Sequence, residues 1–164
     1  MTRKEYNQAV QLYSDNIYRF VLKNLRDADN ARDVVQETYA KVWQKVEDID
    51  YAKAKSYLFT TAYNTMIDLI RREERRRAFQ PEGRQAVSYN QFNDLQEVLN
   101  MALATLPEQQ QSLVLLRDYE GYSYEEIGQI TNLSESQVKV YIFRARQAMR
   151  NYIRSLDYVL EDKS

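Results

Sequence analysis

SYEEIGQITNLSESQVKVYIFRARQAMRNYIRSL, residues 123–156, is the stretch that decides the fold. Ser123–Glu126 and Ser134–Gln137 both read Ser-x-x-Glu/Gln. At that spacing a serine caps a helix while the later side chain reaches back to the serine's own backbone N–H. Each therefore opens a helix. Between them lies TNLS, where Asn132 tolerates the left-handed conformation of a tight turn. Ile127, Ile130, Leu133, Val138, Ile142, Ala145 and Met149 recur at helical steps and are expected to share one core. Gly128 falls where the helices cross, at a propensity cost of up to about 1 kcal/mol relative to alanine. Two short capped helices joined this way form a helix-turn-helix.

Charge is sorted over the same stretch. From Asp118 to Glu135 there are five acids and no base. From Ser136 to Leu156 there is no acid, and the bases are Lys139, Arg144, Arg146, Arg150 and Arg154. Cations near a helix C-terminus are favourable in any protein, which accounts for Arg150 and Arg154. It does not account for the paired capping boxes and the turn. Those features favour a second helix that enters the major groove, where an acid would face phosphate charge. With the apolar face buried, Ser136, Gln137, Val140, Phe143 and Arg144 remain outside, with Lys139 at the margin. Arginine can grip a guanine edge, glutamine can read adenine, and valine or phenylalanine can touch a thymine methyl. Arg146, Arg150 and Arg154 recur every four residues, within reach of phosphates.

Composition narrows the chemistry. The chain has 164 residues, no Cys and no His, so thiolate chemistry, an imidazole base and the usual zinc sites are excluded. No loop has calcium-binding spacing, no glycine-rich loop cradles phosphate, and no nucleophile has a partner base. No catalytic residue, metal or cofactor is expected. The first ten residues lack the apolar core of a signal peptide, and no apolar run approaches the ~20 residues that cross a bilayer. A cytoplasmic protein without membrane insertion is expected. The net charge of −1 means that any DNA contact must come from local patches.

Working outward, the chain reads as all-α, with two small helical domains joined by a flexible linker. Residues 1–76 form the first domain, 77–93 the linker and 94–164 the second. Pro81 and Gly83 lie in RAFQPEGRQAVSYNQFN (77–93), which has no clear apolar period. The first domain carries three helices. Tyr6, Val10, Tyr13, Ile17, Phe20 and Val21 mark one. Val34, Val35, Thr38, Tyr39, Val42, Trp43 and Val46 form the buried stripe of the next, with Asp33, Gln36, Glu37 and Lys41 outside. The third, from about Lys53, has Tyr57, Leu58, Ala62, Met66, Leu69 and Ile70, and ends in RREERRR (71–77). DADNARD supplies Asp and Asn as caps for the second helix. After the linker come one helix with Leu95, Val98, Leu99, Ala102, Leu103 and Leu106, and another opened by Pro107.

The arginine-rich end lies downstream of Tyr57, Phe59 and Tyr63. Rings beside cations suit single-stranded DNA, whose bases stack while phosphates meet arginine. Core packing is the competing reading for Tyr57 and Phe59. Asp33, Gln36 and Glu37 are most simply a solvated face, although they can also dock on a basic partner.

The whole order resembles the extracytoplasmic-function (ECF) sigma factors of bacterial RNA polymerase. NARDVVQETYAKVW (30–43) is similar to the family's region 2.2, AKSYLFTTAYNTMIDLIRREERR (54–76) to regions 2.3 and 2.4, and residues 103–150 to region 4. The resemblance implies a factor that binds core polymerase and directs promoter recognition, melting and initiation, without chemistry of its own. It implies that Asp33, Gln36 and Glu37 dock on polymerase. It assigns Asn64, with a pocket-forming loop at about 47–56, to a flipped base of the −10 element, and Arg71 and Arg72 to nearby DNA, beside Tyr57 and Phe59. It assigns Gln137, Lys139, Val140, Phe143 and Arg144 to the −35 element. Arg146 and Arg150 are expected on phosphates. Core polymerase, promoter DNA and an anti-sigma factor are the implied partners.

The chain departs from the family at Tyr57 and Tyr63, where Trp and Arg are common, and at Gln137 and Val140, where Thr and Ser are frequent. Gly128, Thr131 and Asn132 replace a common Ala, Leu and Gly. The promoter preference of a relative therefore does not transfer. The alternative is a stand-alone helix-turn-helix regulator, with residues 1–76 as a dimerising or sensing domain. It predicts a stable dimer on palindromic sites. A helical adaptor without DNA is the third class.

Overall fold

The computed structural model describes residues 1–79 and 95–161, with side chains through Leu156. Seven α-helices make up the described part: α1 (Arg3–Leu25), α2 (Ala28–Gln44), α3 (Ala54–Phe79), α4 (Leu95–Ala104), α5 (Glu108–Val114), α6 (Tyr124–Thr131) and α7 (Glu135–Glu161). No strand occurs among the described residues, so the all-α expectation holds. The chain forms two compact units, one containing α1–α3 and the other α4, α5 and α7.

In the first unit α1, α2 and α3 pack against one another in all three pairings. Local chemistry sets where each begins. Thr2 caps α1 in a complete capping box with Glu5, and Arg26 closes it in the left-handed region at φ 55°. The Asp27 carboxylate then accepts from the backbone N–H groups of Asp29 and Asn30 at 3.0 and 3.1 Å, so an aspartate of DADNARD is the N-cap of α2. Ile17, Phe20, Val21, Val34, Val42, Leu58, Phe59, Ala62 and Met66 fill the core. The rings of Phe20 and Phe59 meet at 5.8 Å.

Two expectations for this unit need correction. Trp43, placed on the buried stripe, is 43% exposed, and the edge of its ring meets Tyr6 at 5.0 Å. Each residue turns a helix by about 100°, so with Val42 fully inward Trp43 is carried to the rim. Helix α3 also runs on to Phe79, so the assigned linker begins inside it. No Gly or Pro interrupts RREERRRAF, and its residues are mostly good helix formers. The rest of the linker, from residue 80, lies outside the described residues.

In the second unit α7 packs on both α4 and α5. Helix α5 does not stop at Val114 but widens into a π-helical turn, Leu115–Tyr119. The Glu120 N–H reaches the Leu115 carbonyl at 3.1 Å, and Tyr122 reaches Leu116 at 3.0 Å. Gly121, at φ 75°, then reverses the chain into α6. A glycine adopts that conformation without the steric cost a side chain would carry.

Both predicted capping boxes are present. Ser123 and Glu126 exchange backbone-to-side-chain bonds at 3.1 Å each. The Ser134 N–H donates to Gln137 Oε1 at 3.0 Å, and the Gln137 N–H to Ser134 Oγ at 3.1 Å. Asn132 takes φ 60° in the turn, as TNLS required. Ile127, Ile130, Val138, Ile142 and Ala145 are buried, while Leu133 and Met149 are half-buried. Helix α7, expected to be short, is 27 residues long. No Gly or Pro follows Glu135, and Met149, Ile153 and Leu156 continue the apolar period.

Candidate nucleic-acid interface

On α7 the structure puts the predicted reading face outside. Ser136, Gln137, Lys139, Val140, Phe143 and Arg144 are all exposed. Phe143 is 67% and Val140 44% exposed, and three positions apart on one helix they form an exposed apolar patch. Arg144 makes no hydrogen bond or ion pair among the described residues. An unpaired guanidinium beside two bare apolar groups suits a base edge and thymine methyls.

Gln137 is a different matter. Its Oε1 is held by the Ser134 N–H and also by Ser134 Oγ, at 3.2 Å. Gripping adenine with both ends of the amide requires that oxygen to leave the cap. We expect Ser134→Ala to destabilise the C-terminal unit by about 1 kcal/mol. Gln137→Glu, which preserves the box chemistry, should change stability by much less. Denaturant melts of the three proteins check this.

Lys139 is paired with Glu135 at 3.3 Å and sits 5.8 Å from the centre of the Tyr124 ring. Arg117 lies over the same ring at 4.5 Å while donating to the Tyr122 carbonyl at 2.9 Å. Tyr124 thus links the start of α6 to α7. A shallow groove beside it is lined by Lys139, Phe143, Arg146, Gln147 and Arg150. Lys139 and Arg150 on this groove make a favourable path for a phosphate backbone.

Arg146 corrects the reading that gave it to phosphates. Its guanidinium is bound to Asp118 at 2.5 Å, and that bond holds its pKa above the ordinary arginine value. The bond ties α7 to the π-helical turn, so its partner is an internal carboxylate. Arg150 stays exposed, as phosphate contact requires. Because the Arg146 pair is surface-exposed, Arg146→Ala should cost about 0–1 kcal/mol of stability. It should leave the salt dependence of DNA binding nearly unchanged, whereas Arg150→Ala should reduce the log–log slope by about one. Binding titrations over a salt series separate the two.

In the first unit α2 presents Asp33, Gln36 and Glu37 on one exposed face. Asp33 and Gln36 make no hydrogen bond or ion pair among the described residues. Glu37 pairs with Lys41 at 3.3 Å. Lys41 also donates to Thr65 Oγ1 on α3 at 3.0 Å, a contact that no periodicity announced.

On α3 the assigned residues separate by depth. Asn64, Arg71 and Arg72 are exposed and Tyr57 is half-buried. Phe59 is fully buried against Phe20, so core packing is its role and it offers no stacking face. Tyr63, where the resemblance leads one to expect arginine, is 7% exposed and brings no cation to this surface. The loop expected near 47–56 is built from two single 3₁₀ turns, Val46–Asp48 and Tyr51–Lys53. Buried Ile49 anchors it, and Asp50 caps the second turn by accepting from the Ala52 N–H at 3.1 Å.

Residues 9–76 match the family described as Sigma-70 region 2, and residues 96–149 match Sigma-70, region 4. The ECF RNA polymerase sigma factor SigM of Bacillus subtilis is 27% identical over 150 residues, which cover 88% of this chain and 92% of that protein. SigW of the same organism, also an ECF RNA polymerase sigma factor, is 26% identical over 90% of this chain and 88% of its own. The fold is shared with the sigma factor RpoE of Bartonella quintana, solved in complex with the anti-sigma factor NepR. The TM-score is 0.79 at 24% identity, over 92% of this chain and 98% of that one.

A three-helix unit followed by a helix-turn-helix unit, in this order, is the architecture of a sigma-70-type initiation factor. Within that class the chain belongs to the extracytoplasmic-function sigma factors.

Proposed function

We propose that this sigma factor docks on core RNA polymerase through Asp33, Gln36 and Glu37 of α2. In this reading Asn64, with the loop at about 47–56, captures a −10 base, and Arg71 and Arg72 hold adjacent DNA. Val140, Phe143 and Arg144 read the −35 element, with Lys139 and Arg150 on its backbone. Half-buried Tyr57 borders the −10 site. The observation that carries the reading is the outer face of α7, where an arginine unpaired among the described residues and two exposed apolar side chains share one helical stripe.

The protein does no chemistry in this scheme; it directs the enzyme it joins. It works in the cytoplasm, where polymerase and promoter are found. Among the described residues no helix is long and apolar enough to cross a membrane. An anti-sigma factor holding it inactive fits its membership of the family, since a sigma factor sharing its fold was solved with one. With a net charge of −1, free protein binds promoter DNA weakly, and polymerase supplies most of the phosphate contact. Competition with another sigma factor for core polymerase tests the docking half. Displacement at stoichiometric concentration is expected, and a stable dimer that binds palindromic DNA alone would instead favour the regulator.

A further inference from the structure

Lys41 stands between the two surfaces of the first unit. Its Nζ is 3.3 Å from a Glu37 carboxylate oxygen on its own helix and 3.0 Å from the Thr65 hydroxyl on α3. Glu37 lies on the docking face, and Thr65 is the residue next to Asn64. Thr65 is 2% exposed, so its hydroxyl lies in the closed seam between α2 and α3 and needs a partner there. An ammonium group carries three donors, so Lys41 can satisfy both contacts at once. Glutamate four residues before lysine is also the favourable order on a helix.

From this geometry we infer that Lys41 is a positioning residue that couples polymerase docking to −10 capture. The inference rests on the roles proposed above for Glu37 and Asn64. Lys41 bonded to Thr65 fixes the rotation of α3 about its axis at the turn that presents Asn64. When the Glu37 carboxylate turns to a cation on polymerase, Thr65 is left as the one acceptor holding Lys41 among the described residues, and the ammonium can centre on that hydroxyl. Docking therefore consolidates the α2–α3 seam at the point where the base is captured. A basic docking partner gains nothing from Lys41 itself, because the two carry like charge.

The test compares wild type, Lys41→Met, Lys41→Arg, Thr65→Val, Thr65→Ser and the double variant Lys41→Met/Thr65→Val. Core affinity is measured by competition with another sigma factor. Promoter opening is followed by permanganate reactivity of −10 thymines at saturating core. Lys41→Met is expected to keep core affinity within about threefold of wild type while opening falls about five- to tenfold. Thr65→Val should match it, the double variant should be no worse than either single, and Thr65→Ser should restore opening. Lys41→Arg should restore it at least in part.

A Lys41→Met protein that opens promoters like wild type overturns the inference. So does one whose core affinity collapses while opening at saturation is unchanged, or a double variant whose effects multiply. Thermal melts guard against a folding defect: a variant that opens poorly and melts well below wild type, with Thr65→Ser unable to restore opening, counts against positioning. Failure of the wild type to bind core defeats the docking reading itself, and is told apart from the other outcomes by that control.

Discussion

Replacing Arg144 by alanine is expected to cut transcription from a −35-dependent promoter by about 10- to 100-fold, the loss that follows when one two-bonded base contact worth about 1–3 kcal/mol disappears. Arg144 is exposed and makes no other bond among the described residues, so its removal leaves no buried group orphaned and no helix uncapped. Stability should therefore change little, and core affinity not at all. The defect should also be sequence-specific. Changing the base that Arg144 contacts should cost the alanine variant little further activity, whereas wild type should lose about as much as the mutation removed. Abortive initiation on a promoter and its single-base variants reads both effects. Arg150→Ala, by contrast, should weaken all sequences alike.

Asp33→Arg is expected to weaken core binding by about 100-fold or more. Truncating one member of a buried interfacial charge pair costs about 2–5 kcal/mol, and reversing the sign adds repulsion. Asp33 sits on the outer face of α2 with no partner among the described residues, so the substitution should leave the fold intact. Glu37→Arg should be comparably damaging, but it also breaks the pair with Lys41 and places two cations one helical turn apart. Asp33 is therefore the cleaner probe. Competition binding against another sigma factor measures the loss, and thermal melting confirms that the unit is folded.

What could be read in the sequence was what local chemistry sets. The two capping boxes, the Asp27 cap and the left-handed Asn132 each depend on residues within four positions, and all four are present. The buried faces of α1–α3 followed from a 3.6-residue period, which is coarse by about one residue. That is why Trp43, expected on the buried stripe, sits at the rim. The candidate interface was visible wherever exposure followed from the same period, as at Val140, Phe143 and Arg144.

Contacts between distant segments were not legible. Asp118 lies 28 residues from Arg146, and Thr65 lies 24 from Lys41. No pattern in one helix says which polar group on another will meet it. The basic residues of α7 look alike as text, yet folding pairs Lys139 and Arg146 internally and leaves Arg144 without a partner among the described residues. Phe59 and Tyr57 posed the same problem two positions apart. One ring closes the core and the other reaches its edge, and only packing against Phe20 distinguishes them.

Run-off transcription with bacterial core polymerase on host promoter fragments, with and without this protein, tests the central claim most directly. The fragments should include the region upstream of its own gene. The account predicts specific transcripts that depend on the protein and vanish with either Asp33→Arg or Arg144→Ala. Failure to bind core or to displace another sigma factor, combined with no protein-dependent transcript, would contradict it.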